Sequence, residues 1–91
     1  MAEVRKSLTI VNAQGLHARP CHAIVSTAMG YPCELRLVSG DREVNGKSIL
    51  ELMTLQAAQG TELEVRAWGQ DADGLVAKLV ELFAGGFGEA S

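Results

Sequence analysis

Aromatic side chains are scarce in this 91-residue chain, which has one Trp, one Tyr and two Phe. Basic residues are also in the minority, 8 Lys and Arg against 11 Asp and Glu, so the stacking platforms and cationic footprint of a nucleic-acid binder are both missing. No apolar stretch approaches the roughly 20 residues of a membrane span, and the N-terminus carries nothing resembling a secretory signal. A cytoplasmic protein with no membrane insertion is therefore expected. The two cysteines, Cys21 and Cys33, are too few for a disulfide scaffold and are expected as reduced thiols. Cys21 and His22 are neighbours, but no CxxC or HxxxH spacing supplies further ligands, so no metal site is expected. A GxxxxGK[ST] nucleotide loop is absent as well, and no cofactor is implied.

What is present is ordinary globular usage, 47% hydrophobic and 21% charged, which argues against disorder. This length suits one domain over residues 1–91. A domain this small buries only somewhat more than about 60% of the surface its unfolded chain exposes, leaving little room for an enclosed substrate cavity. Any chemistry is expected at the surface, with protein or small-anion partners.

Hydrophobic periodicity orders the chain. Val4, Leu8 and Ile10 alternate with Arg5, Ser7 and Thr9 as in a half-buried strand, interrupted only by Lys6. Asn12 to Gly15 reads as a turn, after which Cys21, Ile24, Val25, Ala28 and Met29 form one helical stripe that Gly30-Tyr31-Pro32 ends. Cys33, Leu35 and Leu37 predict a strand that Ser39-Gly40-Asp41 folds back onto a short strand from Arg42 to Val44. The run Ser48 to Gln59 predicts a short helix capped by Ser48 and stopped by Gly60. Leu63, Val65 and Ala67 predict a fourth strand, and Asp71 is placed to cap a last helix carrying Leu75, Val76, Leu79, Val80 and Phe83. The order βαββαβα predicts a two-layer α+β sandwich, a four-stranded antiparallel or mixed sheet with three helices on one face.

Gly15-Leu16-His17-Ala18-Arg19-Pro20 sets a histidine and an arginine where a loop enters a helix. Pro20 is tolerated in a first helical turn, where the N–H it lacks has no acceptor, so His17 is expected at the N-cap. A helix N-terminus favours an anion, and Arg19 adds forked donors suited to phosphate. The same field disfavours a protonated imidazole, leaving a ring nitrogen of His17 free to attack an electrophilic phosphorus. On these residues alone, a reversible phosphohistidine stands beside a plainer reading in which His17 is a solvated loop histidine and Arg19 a surface charge. His22 falls off the helical stripe, as an exposed histidine does, and at most flanks the site.

This segment resembles the phosphorylation motif of the histidine-containing phosphocarrier (HPr) family of the bacterial phosphoenolpyruvate-dependent phosphotransferase system. Asn45-Gly46-Lys47-Ser48-Ile49-Leu50 resembles the family's regulatory serine region. Gly60-Thr61-Glu62-Leu63, Leu82-Phe83 and Gly86-Phe87-Gly88-Glu89 resemble its C-terminal half, so the similarity spans nearly the whole chain. The resemblance implies an open-faced sandwich with four antiparallel strands. It also implies that His17 accepts a phosphoryl group on Nδ1 from enzyme I and passes it to the A domain of a sugar permease, with Arg19 supporting the phosphate. The protein is then a stoichiometric carrier rather than an enzyme, and a monomer.

Ser48 matches the serine that a dedicated kinase modifies in many relatives, beside its role as a cap. Ile49, Leu50 and Met53 fall where the family docks its partners. A short helix cannot bury Ile49, Leu50, Leu52, Met53 and Leu55 all round, so Leu50 and Met53 are expected at the surface. Two departures stand out: Cys21-His22 follows Pro20 where small or hydroxyl residues are common, and Glu51 sits beside the patch where a small residue is common. Two rivals share the motif: a nitrogen-type or kinase-sensing regulatory relative with the same phosphohistidine, and a non-catalytic interaction domain with an inert His17.

Overall fold

The structure is a computed structural model that describes residues 3–89. Met1, Ala2, Ala90 and Ser91 lie outside the described residues. Strand β1 (Glu3–Thr9) leads to helix α1 (Ala18–Ala28), the hairpin of β2 (Glu34–Ser39) and β3 (Arg42–Asn45), helix α2 (Ile49–Met53), strand β4 (Glu62–Trp68) and helix α3 (Ala72–Ala84). A single 3₁₀ turn, Gly86–Gly88, follows. The strands are ordered β1-β4-β2-β3 and every pairing is antiparallel.

Period-two patterning sends Leu8, Leu35, Leu37, Val44, Leu63, Val65 and Ala67 to one face, where they meet Cys21, Ile24 and Ala28 of α1, Leu52 of α2, and Leu75, Leu79 and Phe83 of α3. Lys6 shares the core-side period, opposite Val65, yet is exposed. Strand β1 is a sheet edge, so a long amine at that position reaches water and also blunts the edge against further pairing. The other face is solvated. Across it, Arg66 pairs in register with Arg5 on one side and Arg36 on the other, a row of like charges. Glu3 at 3.2 Å and Glu43 at 3.3 Å from Arg66 offset that row.

Three expectations need correction. The helix expected from Ser48 to Gln59 is only Ile49–Met53, because the chain beyond it is spent on other bonds. Gln56 turns to φ +50, and the Ala57 carbonyl and Gly60 N–H bond back to the segment that follows β1. Asp71 occupies the N-cap of α3 but makes no side-chain cap. Its φ of +65 is left-handed, not the extended backbone a side-chain cap uses, and its carbonyl accepts from Leu75 N–H at 3.1 Å. Met29 is 66% exposed rather than on the buried stripe, since α1 ends at Ala28 and Val25 is only half-buried.

Gly15 has φ +69, and a Cβ built there meets the Ala57 carbonyl oxygen at 2.4 Å. Gly40, in the β2–β3 turn, has φ +60 and open space around it. Gly40→Ala is therefore expected to cost about 1 kcal/mol, the left-handed penalty alone. Gly15→Ala is expected to cost at least about 2 kcal/mol, since backbone must also move. Urea midpoints at constant m-value test the difference.

Candidate functional site

The segment after β1 is tied down before it reaches His17. Ile10 N–H donates to the Thr61 carbonyl at 2.9 Å and Gly60 N–H to the Ile10 carbonyl at 2.7 Å, continuing the β1–β4 pairing past the strand ends. Asn12, 1% exposed, closes the turn: Gly15 N–H donates to its carbonyl at 3.2 Å, and its own Nδ2 donates to the Gly15 carbonyl at 2.8 Å. Leu16 is buried, and its N–H donates to the Ala57 carbonyl at 2.8 Å. The chain then enters α1 with His17 at the N-cap in extended conformation, φ −100 and ψ −169.

His17 makes no side-chain cap. Its carbonyl accepts the first helical bond, from Cys21 N–H at 3.1 Å, while Pro20 has no N–H to satisfy. The N–H groups of Ala18 and Arg19 have no protein acceptor among the described residues, so α1 opens on two free donors and the positive end of its dipole. Arg19 is exposed, and among the described residues no carboxylate lies within 4.0 Å of it.

The imidazole is held from the far end of the chain. Its Nε2 lies 2.7 Å from Glu89 Oε2, and the other carboxylate oxygen accepts from Asn12 Nδ2 at 2.9 Å. The side chains of His17 and Glu89 are 35% and 11% exposed. Glu89 reaches this place through a tight turn. Phe87, at φ +59 and flanked by Gly86 at +63 and Gly88 at +75, is buried with its ring centroid 4.9 Å from that of Phe83. Glu89 N–H then donates to the Gly86 carbonyl at 3.0 Å.

A carboxylate accepts, so Nε2 carries the imidazole proton in this pair and Nδ1 holds the lone pair. The Asn12 amide is oriented by the same rule, because its Nδ2 faces two acceptors and flipping it would lose both bonds. The arrangement thus presents one nucleophilic ring nitrogen at the mouth of a helix with free amides and an unpaired guanidinium two residues on.

Sequence reasoning brought His17 and Arg19 to this site and missed Glu89 and Asn12. Glu89 stands 72 residues from His17, and Asn12 had only a turn residue's signal. His22 is exposed on α1 with no bonded partner among the described residues. Cys21 and Cys33 are both free and buried. Burial pushes the Cys21 thiol up from 9.0 to about 11, as expected of a packing residue and not of a reactive one.

Ser48 lies at the N-cap of α2, its Oγ accepting from Glu51 N–H at 3.2 Å. With only five residues, α2 lends an anion there little dipole field. Leu50 is 79% and Met53 40% exposed, whereas Ile49 is half-buried against the core and contributes less surface than expected. Glu51 turns its carboxylate to Asn45 N–H at 3.0 Å.

Fold and site together define a small α+β protein that displays one histidine at a helix mouth. The family model described as the PTS HPr component phosphorylation site matches residues 4–85. The phosphocarrier protein HPr of Neisseria meningitidis serogroup A is 40% identical over 86 residues, 94% of this chain and 97% of the relative. The crystal structure of HPr-C-His from Thermoanaerobacter tengcongensis superposes with a TM-score of 0.90 at 35% identity, covering 100% of both chains. A crystal structure of an HPr dimer from the same organism gives 0.76 at 36% identity, covering 98% of this chain and 100% of that one. The chain belongs to the HPr family of phosphocarrier proteins of the phosphotransferase system.

Two outcomes follow from this geometry. Ser48→Ala is expected to lower stability by about 1 kcal/mol through loss of its cap, read as a urea midpoint shift. Because the folded state raises the Cys21 thiol, its stabilising contribution is intact below pH 9.0 and is lost as pH rises toward about 11. Cys21→Ala should therefore show a shallower loss of stability over that window than the parent.

Proposed function

We propose that this protein carries phosphoryl groups on His17 Nδ1, taking them from a phosphorylated histidine of enzyme I and passing them to the A domain of a sugar permease. The observation that carries the reading is the Glu89 contact at 2.7 Å, which occupies Nε2 and leaves Nδ1 as the lone-pair nitrogen. Attack by Nδ1 builds negative charge on the transferring oxygens beside a helix N-terminus. The free N–H groups of Ala18 and Arg19 and the unpaired Arg19 side chain suit that charge. The protein is a stoichiometric relay of the cytoplasm, phosphorylated and dephosphorylated once per cycle.

Leu50 and Met53, with Ile49 at their base, form the apolar surface on which both partners dock, close in sequence to Ser48. Phosphorylation of Ser48 by a serine kinase is the regulatory step of this reading. A dianion there offers further acceptor oxygens to the cap donor, Glu51 N–H, and adds charge beside the docking surface. In this reading the carrier works as a monomer, whereas an HPr of similar structure is a dimer.

The test is intact mass after incubation with phosphoenolpyruvate and purified enzyme I, followed by acid treatment and fragment mapping. One acid-labile phosphate on His17 is expected. His17→Ala should take up none while remaining folded, checked by far-UV circular dichroism; a full equivalent on that variant refutes the site. Ser48→Asp is expected to slow phosphoryl transfer from enzyme I at least about fivefold, read by quenched-flow mass.

A further inference from the structure

We propose that Glu89 is a positioning residue that keeps the Nε2 proton on His17 through the whole phosphoryl cycle, so that phosphate enters and leaves Nδ1 with no proton transfer. This inference rests on His17 being the phosphoryl acceptor and adds a role that neither the motif around His17 nor its helix supplies.

The carboxylate is built for the task. One oxygen is spent on Asn12 Nδ2 at 2.9 Å and the other faces Nε2 at 2.7 Å, so neither can rotate away without losing a bond. Asn12 is itself 1% exposed and fixed by its pair of bonds to Gly15. From the other side, Glu89 is anchored by the left-handed Phe87 and its ring on Phe83. A pendant surface acid needs none of this. The charged groups about the ring are Glu89, from the C-terminal turn, and Arg19, two residues along α1. Among the described residues no second carboxylate lies within 4.0 Å of the imidazole.

Bond and proton bookkeeping shows what the contact does. On acceptance the Nδ1 lone pair forms the new N–P bond, the donor's N–P bond breaks, and its electron pair stays on the donor nitrogen. The ring, still bearing Nε2–H, becomes a cationic phosphoimidazolium facing the Glu89 carboxylate. On delivery the Nδ1–P bond breaks, the pair returns to Nδ1, and the neutral Nε2–H tautomer is recovered. If the phosphorylated ring lost Nε2–H, its leaving group would be an imidazolate, a far stronger base than imidazole and a far poorer departing group. A charge-assisted hydrogen bond opposes that loss.

The experiment compares the full chain with Glu89→Gln and Glu89→Asp. Gln offers a single acceptor oxygen and cannot serve both Asn12 Nδ2 and His17 Nε2, whereas Asp keeps the charge. Three readouts are taken: ring ¹⁵N shifts of unphosphorylated His17, the pH midpoint of the ³¹P shift after phosphorylation by phosphoenolpyruvate and enzyme I, and the rate of transfer to a permease A domain. For Glu89→Gln we expect a smaller share of the Nε2–H tautomer, a ³¹P midpoint lower by about one pH unit because a carboxylate favours the protonated ring, and transfer slowed about tenfold. Glu89→Asp should recover part of each. A purely structural tail anchor would lower the urea midpoint and leave the ³¹P midpoint in place. An unchanged tautomer and ³¹P midpoint in Glu89→Gln overturn the proposal even if wild type is phosphorylated on His17. A wild type that takes up no phosphate on His17 overturns the functional reading itself, and this role falls with it.

Discussion

The site depends on the bonds that fasten the segment between β1 and α1 to the loop between α2 and β4. Ile10 is bonded to Gly60 and Thr61, and Leu16 to Ala57, at 2.7 to 2.9 Å. These few amides do what secondary structure does elsewhere: they satisfy buried backbone and fix where α1 begins. They also set the length of α2, since residues 57–61 cannot both continue a helix and pair with residues 10–16. A close approach at Gly15 follows, where any Cβ would strike the Ala57 carbonyl. His17 leaves that junction in extended conformation and therefore caps α1 with its backbone, keeping its ring available.

Two fields then act on the ring. The open end of α1 favours anions, an effect of roughly 0.3–1 kcal/mol at a surface. The Glu89 hydrogen bond, charge-assisted and 11% exposed on the acid's side, belongs to a class contributing about 1.5–3 kcal/mol. The larger, directional term decides which nitrogen holds the proton, and the smaller, diffuse one is left for an anion. The two are also separated in space, the carboxylate at Nε2 and the helix amides at the chain's entry to α1, so they divide the work and do not cancel.

The strands and α1 were legible because one face of each is buried, and burial writes a period of two or 3.6 into the residues. The early stop of α2 was not, since its apolar residues continue past Met53: Leu55 and Ala57 are buried, but from a loop. Periodicity reports burial, and here a turn and a helix bury equally well. Asp71 looked like a cap by type, yet its left-handed backbone removes the geometry a cap requires. His17 and Arg19 were readable because a local motif holds them, and the exposure of Leu50 because one short helix cannot bury Ile49, Leu50, Leu52, Met53 and Leu55 all round. Glu89 was marked only as part of Gly86-Phe87-Gly88-Glu89, with no role attached. Its place beside His17 comes from tertiary folding that joins residues 72 positions apart.

Among the described residues there is no enclosed pocket, and this limits how the chemistry can be shared. In phosphoryl transfer, charge spread over three equatorial oxygens needs donors on several sides, in a site from which water is excluded. This chain offers two amides, one guanidinium and an imidazole hydrogen-bonded to a carboxylate, all on an open surface. If His17 carries phosphate as proposed, the remaining donors and the dry wall come from whichever protein covers it at the moment of transfer. The carrier then needs no cavity of its own, because each partner supplies half of the active site.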